Sequence, residues 1–285
     1  VLVAAILLAP GVGAWTASRR VPVWIERWML HPPRRSPAPT TDLAHDDLVV
    51  ESAGARLVGW RFRAEGSRRG VIVYLHGLCD DRREAIGLAR RYVPRGFEVV
   101  AFDSRAHGES GGDACTYGPL ETQDLARILD TEPKGPVALI GGSLGAAVAL
   151  QSAAADPRVT LVVAIAPFSD LKTVELERGS WYVNAAEVDD AFAIADRECG
   201  ARIEEASPVA AASRIRCPVL LVHGTADTDT PPSHSERILA ALRGRKQLVL
   251  EPGRAHHDAV LPSTWEIVDA WLETMVADAG AGSSH

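Results

Sequence analysis

The chain has 285 residues, of which 47% are hydrophobic and 24% charged, so it can bury a large core, and its composition excludes a disordered or low-complexity protein. Its formal net charge is -7, and the main body has no basic cluster interleaved with aromatics, which argues against a nucleic-acid partner.

The elements follow in chain order. Residues 1–17 are uncharged and strongly apolar, and behind them stand Arg19, Arg20, Arg27, Arg34 and Arg35 against the single acid Glu26. This segment is expected to be a membrane anchor or a signal segment. It is slightly short of the roughly 20 residues that span a bilayer, and Val12-Gly13-Ala14 has the small residues of a signal-peptidase site. The arginines favour a cytoplasmic body by the positive-inside bias, while basic residues ahead of Val1 would reverse it. The expectation is therefore either a body associated with the membrane through an N-terminal anchor or one exported after cleavage, with the side left open. Trp15, Trp24 and Trp28 flank the apolar start, and interface anchoring and core packing are equal readings for them.

Residues 18–46 are basic and proline-rich. Their "HPPRRSPAPTTD" stretch suits neither a regular helix nor a central strand, which predicts a tether. The folded body is expected over 47–279, with a flexible tail at 280–285. It opens with "DLVVESAGARLVGWRFRA", two strands joined by a turn at Ala53-Gly54. Short apolar runs then alternate with helical stretches: "GVIVYLHG" before 81–95, "FEVVAFDSR" before 118–131, "PVALIGGS" before 144–155. The series resumes with "TLVVAIAPF", "PVLLVHGTAD" and "QLVLEPG", with helices near 233–242 and 263–276. Continuous apolar strands separated by helices predict an α/β fold, a doubly wound, mostly parallel sheet of about eight strands. Residues 170–214 carry no strand pattern and are expected to form a small helical cap above the carboxyl ends of the strands.

Within "LIGGSLGAAVAL", Gly141-Gly142-Ser143-Leu144-Gly145 fits G-x-S-x-G between a strand and a helix, the context of a nucleophile elbow. A serine hydroxyl needs a base, and the base an orienting acid. Both are expected later in the chain, in the order Ser, Asp or Glu, His. Asp227 in "LLVHGTADTDTPP" lies just past one buried strand, and His256 and His257 in "LVLEPGRAHHD" lie just past the next.

These motifs, with "YLHGLCD" and "AFDSRAHGES", resemble the α/β-hydrolase superfamily over roughly Asp47 to Val276. The similarity is to bacterial, often membrane-tethered members related to serine aminopeptidase-like and acyl-ester-cleaving enzymes. It implies Ser143 as nucleophile, Asp227 as the acid of H-G-x-x-D and His256 as the base of G-x-x-H, because the spacing from Gly253 lands on His256 rather than His257. Asp229, in the same loop, and Asp170, after an earlier strand, are the competing acids. The oxyanion hole would use the backbone N–H groups of Leu144 and Leu78, with His76 and Gly77 shaping the loop; H-G-L here departs from the family's H-G-G-G and points to a larger acyl group. His107, in the family's D-x-R-G-H-G-x-S with Ala106 in place of a glycine, is expected to buttress its turn.

The implied activity is that of a carboxylesterase-like serine hydrolase acting on a small-molecule acyl substrate. A thioesterase or serine peptidase on the same triad is the alternative, and a non-catalytic binding or scaffold member a further one. No cofactor and no metal is expected, since His256, His257 and Asp258 are adjacent and diverge, and no H-E-x-x-H partner motif occurs. Cys79, Cys115, Cys199 and Cys217 are not at metal-ligand spacing. They read as buried thiols or, in an exported body, as including a Cys79–Cys115 bond. Oligomeric state is not legible.

Overall fold

A computed structural model describes residues 21–179 and 183–282. Its centre is one eight-stranded sheet: β1 (Asp46–Ser52), β2 (Ala55–Phe62), β3 (Gly70–Leu75), β4 (Phe97–Phe102), β5 (Val137–Gly142), β6 (Val159–Ile165), β7 (Val219–Gly224) and β8 (Lys246–Glu251). The spatial order is β1-β2-β4-β3-β5-β6-β7-β8. β1 pairs antiparallel with β2, as the Ala53-Gly54 turn requires, and β2 antiparallel with β4. All remaining pairs are parallel. The expected doubly wound, mostly parallel sheet is therefore present.

The described helices are α1 (Val21–Leu30), α2 (Ile86–Tyr92), α3 (Glu121–Leu129), α4 (Leu144–Ala155), α5 (Leu171–Gly179), α6 (Ala185–Cys199), α7 (Pro208–Ala212), α8 (Ser233–Ala241) and α9 (Pro262–Gly282). Strand residues alternate between two cores because successive side chains point to opposite faces. Val71, Val73, Leu139 and Leu221 join α3, α4 and the 170–214 region on one face. Ile72, Ile140, Leu220 and Val222 join α2 and α9 on the other. Both faces are covered, which is why the central strands read as unbroken apolar runs. Where one helix was expected over 81–95, α2 is flanked by two short 3-10 turns, Arg82–Ala85 and Val93–Arg95. Pro94 cannot donate an N–H to a continuing helix, and Gly96, at φ 84°, ends the element.

No strand occurs among the described residues of 170–214, which hold α5, α6 and α7. The start of α6 is fixed by a capping box between Asn184 and Glu187.

The tether reading of 18–46 needs correction. Val21–Leu30 is helical and packs on α6, with Met29 and Leu30 fully buried. The N–H of Cys115 donates to Leu30 O at 2.8 Å and Tyr117 Oη to Met29 O at 3.2 Å, which satisfies carbonyls that the helix end leaves free. Beyond it, the Arg34 guanidinium donates to the carbonyls of His107 (3.1 Å), Gly108 (2.9 Å), Gly112 (3.4 Å) and Ser110. A proline-rich stretch can therefore lack regular structure and still be held fast. The expected anchor at 1–17, with Trp15, lies outside the described residues. No described helix is long and apolar enough to cross a membrane. Trp24 and Trp28 are 56% and 51% exposed, so they are not core residues.

Candidate active site

Parallel register brings the carboxyl ends of β3, β5, β6, β7 and β8 to one edge, where ligands of open α/β sheets bind. Ser143 stands between β5 and α4 at φ 49° and ψ -113°, a backbone region that a serine rarely adopts. The turn has room only for glycine at positions 141 and 145, two residues to either side. A Cβ on Gly141 would lie 2.4 Å from the Gly145 carbonyl, and one on Gly145 2.1 Å from Leu75 O. The N–H of Ser143 is held by Ile165 O at 2.8 Å.

The other predicted residues converge on it. His256 Nε2 is 2.9 Å from Ser143 Oγ, and His256 Nδ1 is 2.6 Å from Asp227 Oδ2. Since an ionised carboxylate only accepts, Nδ1 carries the hydrogen, and Nε2 is left to accept from the serine hydroxyl. Asp227 is 4% exposed, and its Oδ1 accepts from the N–H groups of Asp229 (3.0 Å) and Thr230 (2.9 Å). Burial alone would raise its pKa. Hydrogen bonds from His223, His256 and Thr230 outweigh that and hold it well below the usual carboxylate range.

The competing residues are placed elsewhere. His257 is exposed, its ring centroid 5.1 Å from that of His256. Asp170 is engaged at the start of α5, where it accepts from Thr173 N at 2.9 Å and Ser169 Oγ at 3.0 Å. Asp229 is exposed. Asp258 accepts from Ala255 N at 2.6 Å, which shapes the histidine loop.

The loop after β3 lies against the elbow. A Cβ on Gly77 would be 3.8 Å from Ser143 Cβ and 2.9 Å from Asp80 Oδ2. Leu144 is the first residue of α4, so its N–H has no intrahelical acceptor. Leu78 is half-buried in the same loop. His76 fixes that loop: its Nδ1–H donates to Gly77 O at 2.8 Å, and Nε2 accepts from Ser104 N at 2.9 Å. Burial pushes the His76 pKa down to about 4. His107 is fully buried, donates from Nδ1 to Arg105 O at 2.8 Å, and is pushed down to about 3 by burial and by His76, whose ring centroid is 5.0 Å away. At the rim, Asp80 pairs with Arg35, and burial raises its pKa against that pull.

Two features were not legible beforehand. His223, the histidine of H-G-x-x-D, is fully buried, with Nε2 2.7 Å from Thr230 O and Nδ1 2.7 Å from Ser235 Oγ. Its position four residues before Asp227 was the available signal. The cap is tied to the same loop, as Arg178 Nε donates to Asp229 O at 2.8 Å and its Nη2 to Thr230 Oγ1 at 3.1 Å. A second serine-histidine-acid set, Ser169 Oγ to His234 Nδ1 at 2.8 Å and His234 Nε2 to Glu177 Oε2 at 2.9 Å, is structural. Ser169 and His234 are both fully buried, and the Ser169 N–H occupies the same Nδ1 at 3.0 Å. All four cysteines are free thiols, so the Cys79–Cys115 bond is not formed.

The eight-stranded topology and the elbow on it define an α/β hydrolase, and known proteins agree. The serine aminopeptidase (S33) family matches residues 66–188 and the prolyl oligopeptidase family residues 133–264. An uncharacterized protein of Mycobacterium tuberculosis is 28% identical over 259 residues, covering 87% of this chain and 86% of its own. A Pyrococcus furiosus esterase has the same fold, with a TM-score of 0.68 at 20% identity over 88% of this chain and 98% of that one. Acetyl xylan esterase 1 of Thermoanaerobacterium gives a TM-score of 0.64 at 21% identity over 90% and 93%. The chain belongs to the α/β-hydrolase superfamily.

Proposed function

We propose that the chain is a serine hydrolase that cleaves a carboxylic ester through an acyl-enzyme on Ser143. The observation that carries this reading is the unbroken hydrogen-bonded sequence from Asp227 through His256 to Ser143 at the strand ends. As Ser143 Oγ attacks the ester carbonyl, its proton passes to His256 Nε2, and the anionic Asp227 stabilises the imidazolium that forms. The tetrahedral oxyanion is received by the N–H groups of Leu144 and Leu78. Collapse expels the alkoxide, which takes the proton from His256, and the same imidazole then activates water to release the acid.

An ester is preferred to an amide because an alkoxide leaves with less help from a general acid than an amine does, and two of the structural neighbours are named as esterases. Fold and triad do not fix the leaving group. Both matching families are named for peptidases, which makes amide cleavage the second reading. The test is a panel of p-nitrophenyl esters of graded acyl length, acyl thioesters and aminoacyl p-nitroanilides. The highest kcat/KM is expected on esters; a value ten times higher on the anilides would transfer the assignment to a peptidase.

A further inference from the structure

Away from Ser143, the end of α1 meets the end of α6. Glu26 on α1, His31 just past it and Glu198 in the last turn of α6 each present one ligand atom, all within 4.8 Å of one another. Three features make this more than a meeting of surface charges. Glu26 is only 4% exposed, and its Oε1 is buried without a hydrogen-bond partner among the described residues. Burial and the facing Glu198 carboxylate disfavour the Glu26 anion, so a proton or a cation has to meet it. His31 Nδ1 stands 2.7 Å from Asp113 O, and a carbonyl can only accept, so this nitrogen carries the hydrogen. His31 Nε2 of a neutral ring then turns its lone pair toward Glu198 Oε1, 2.6 Å away. Two acceptors at that distance need a proton or a metal cation between them. A metal-binding imidazole is typically fixed in this way, by donating its other N–H to a carbonyl.

We propose that Glu26, His31 and Glu198 form a binding site for a divalent cation of the zinc type, which clips the N-terminal helix to the cap. One imidazole and two carboxylates suit zinc better than a hard alkaline-earth ion. Zinc bonds of about 2.0–2.2 Å hold tetrahedral ligands about 3.3 Å apart, so the three atoms have to adjust by roughly an ångström. His31 and Glu198 side chains are 36% and 48% exposed, which leaves water to complete the shell. No local pattern announces the site, because Glu198 lies 167 residues from His31 and no ligand motif joins them.

The test uses the full chain, stripped with a chelator and titrated with zinc by calorimetry and by thermal unfolding. One zinc per chain and a Tm that rises with zinc are expected. His31→Ala and Glu198→Gln should each weaken binding at least tenfold and abolish the rise, whereas His257→Ala, next to the separate histidine of the active site, should change neither. Both substituted side chains are partly exposed, so folding should survive, and a far-ultraviolet spectrum like that of the wild type checks it. Binding unchanged in both variants, or no zinc-dependent rise in the wild-type Tm, would overturn the site and leave a proton shared between His31 and Glu198 in its place. Labelling of Ser143 by a serine-reactive probe is independent of either result.

Discussion

His223 and Asp227, one turn apart at the end of β7, approach to 3.2 Å between Nε2 and Oδ2, the carboxylate oxygen that also meets His256. His223 in turn donates to Thr230 O, so it braces both the carboxylate and the loop around it. If the braced carboxylate orients His256, His223→Gln should lower kcat about tenfold, the worth of one hydrogen bond, and leave KM unchanged. Asp227→Asn should cost far more, on the order of 10⁴ in kcat, because it reverses the tautomer of the base. Steady-state kinetics on one ester checks both, and equal losses would show that His223 acts on folding rather than on the carboxylate.

The elbow predicts a stability contrast between two glycines. Gly145→Ala would set a Cβ 2.1 Å from Leu75 O, where two backbones would have to move apart. Gly87→Ala, exposed in α2, meets nothing within 4 Å. The first should lower Tm by about 5 °C or more, and the second should leave it unchanged or raise it slightly. Thermal unfolding of the two variants beside the wild type decides the point.

Two buried imidazoles predict how stability depends on pH. His76 is held down to about 4 and His107 to about 3, chiefly by burial, against about 6.5 in an unfolded chain. Below pH 6.5 the unfolded chain takes up protons that the native one refuses until those lower values, so stability falls as the pH drops. Each site contributes a slope of at most about 1.4 kcal/mol per pH unit. Below about pH 3.8 the depressed Asp227 adds a further loss. Urea midpoints should be level above pH 7 and decline below pH 6.5, with a shallower decline in His107→Gln.

The rival triad members yield a negative prediction. His257 is exposed, Asp229 likewise, and the Asp170 carboxylate is spent on capping α5. His257→Ala, Asp229→Asn and Asp170→Asn should each keep kcat within about threefold of the wild type, the range of a substitution that touches no reacting group. A hundredfold loss in any one would move the base or the acid to that residue.

Much of this was readable from residues in order, because the signals are local. Ile72, Ile140 and Val163 lie in apolar runs whose length and branching mark covered strands, and Gly141 and Gly145 frame Ser143 within five residues. The structure adds what depends on distant chain. Leu30 is buried against a cap that begins some 140 residues later, so no pattern within 18–46 announces that the segment is docked. Arg34 is held by backbone carbonyls, which any sequence provides. The role of His223 depends on Thr230 and Ser235 folding back over it, and its motif does not display that arrangement.

Ser143, His256 and Asp227 are proposed to act as one unit. The most direct measurement is the rate of covalent labelling by a fluorophosphonate, with the modified peptide identified by mass spectrometry. Labelling is expected on Ser143 alone, absent in Ser143→Ala, and slowed by several orders of magnitude in His256→Ala. Labelling on another serine, or a wild-type rate retained in His256→Ala, would contradict the account.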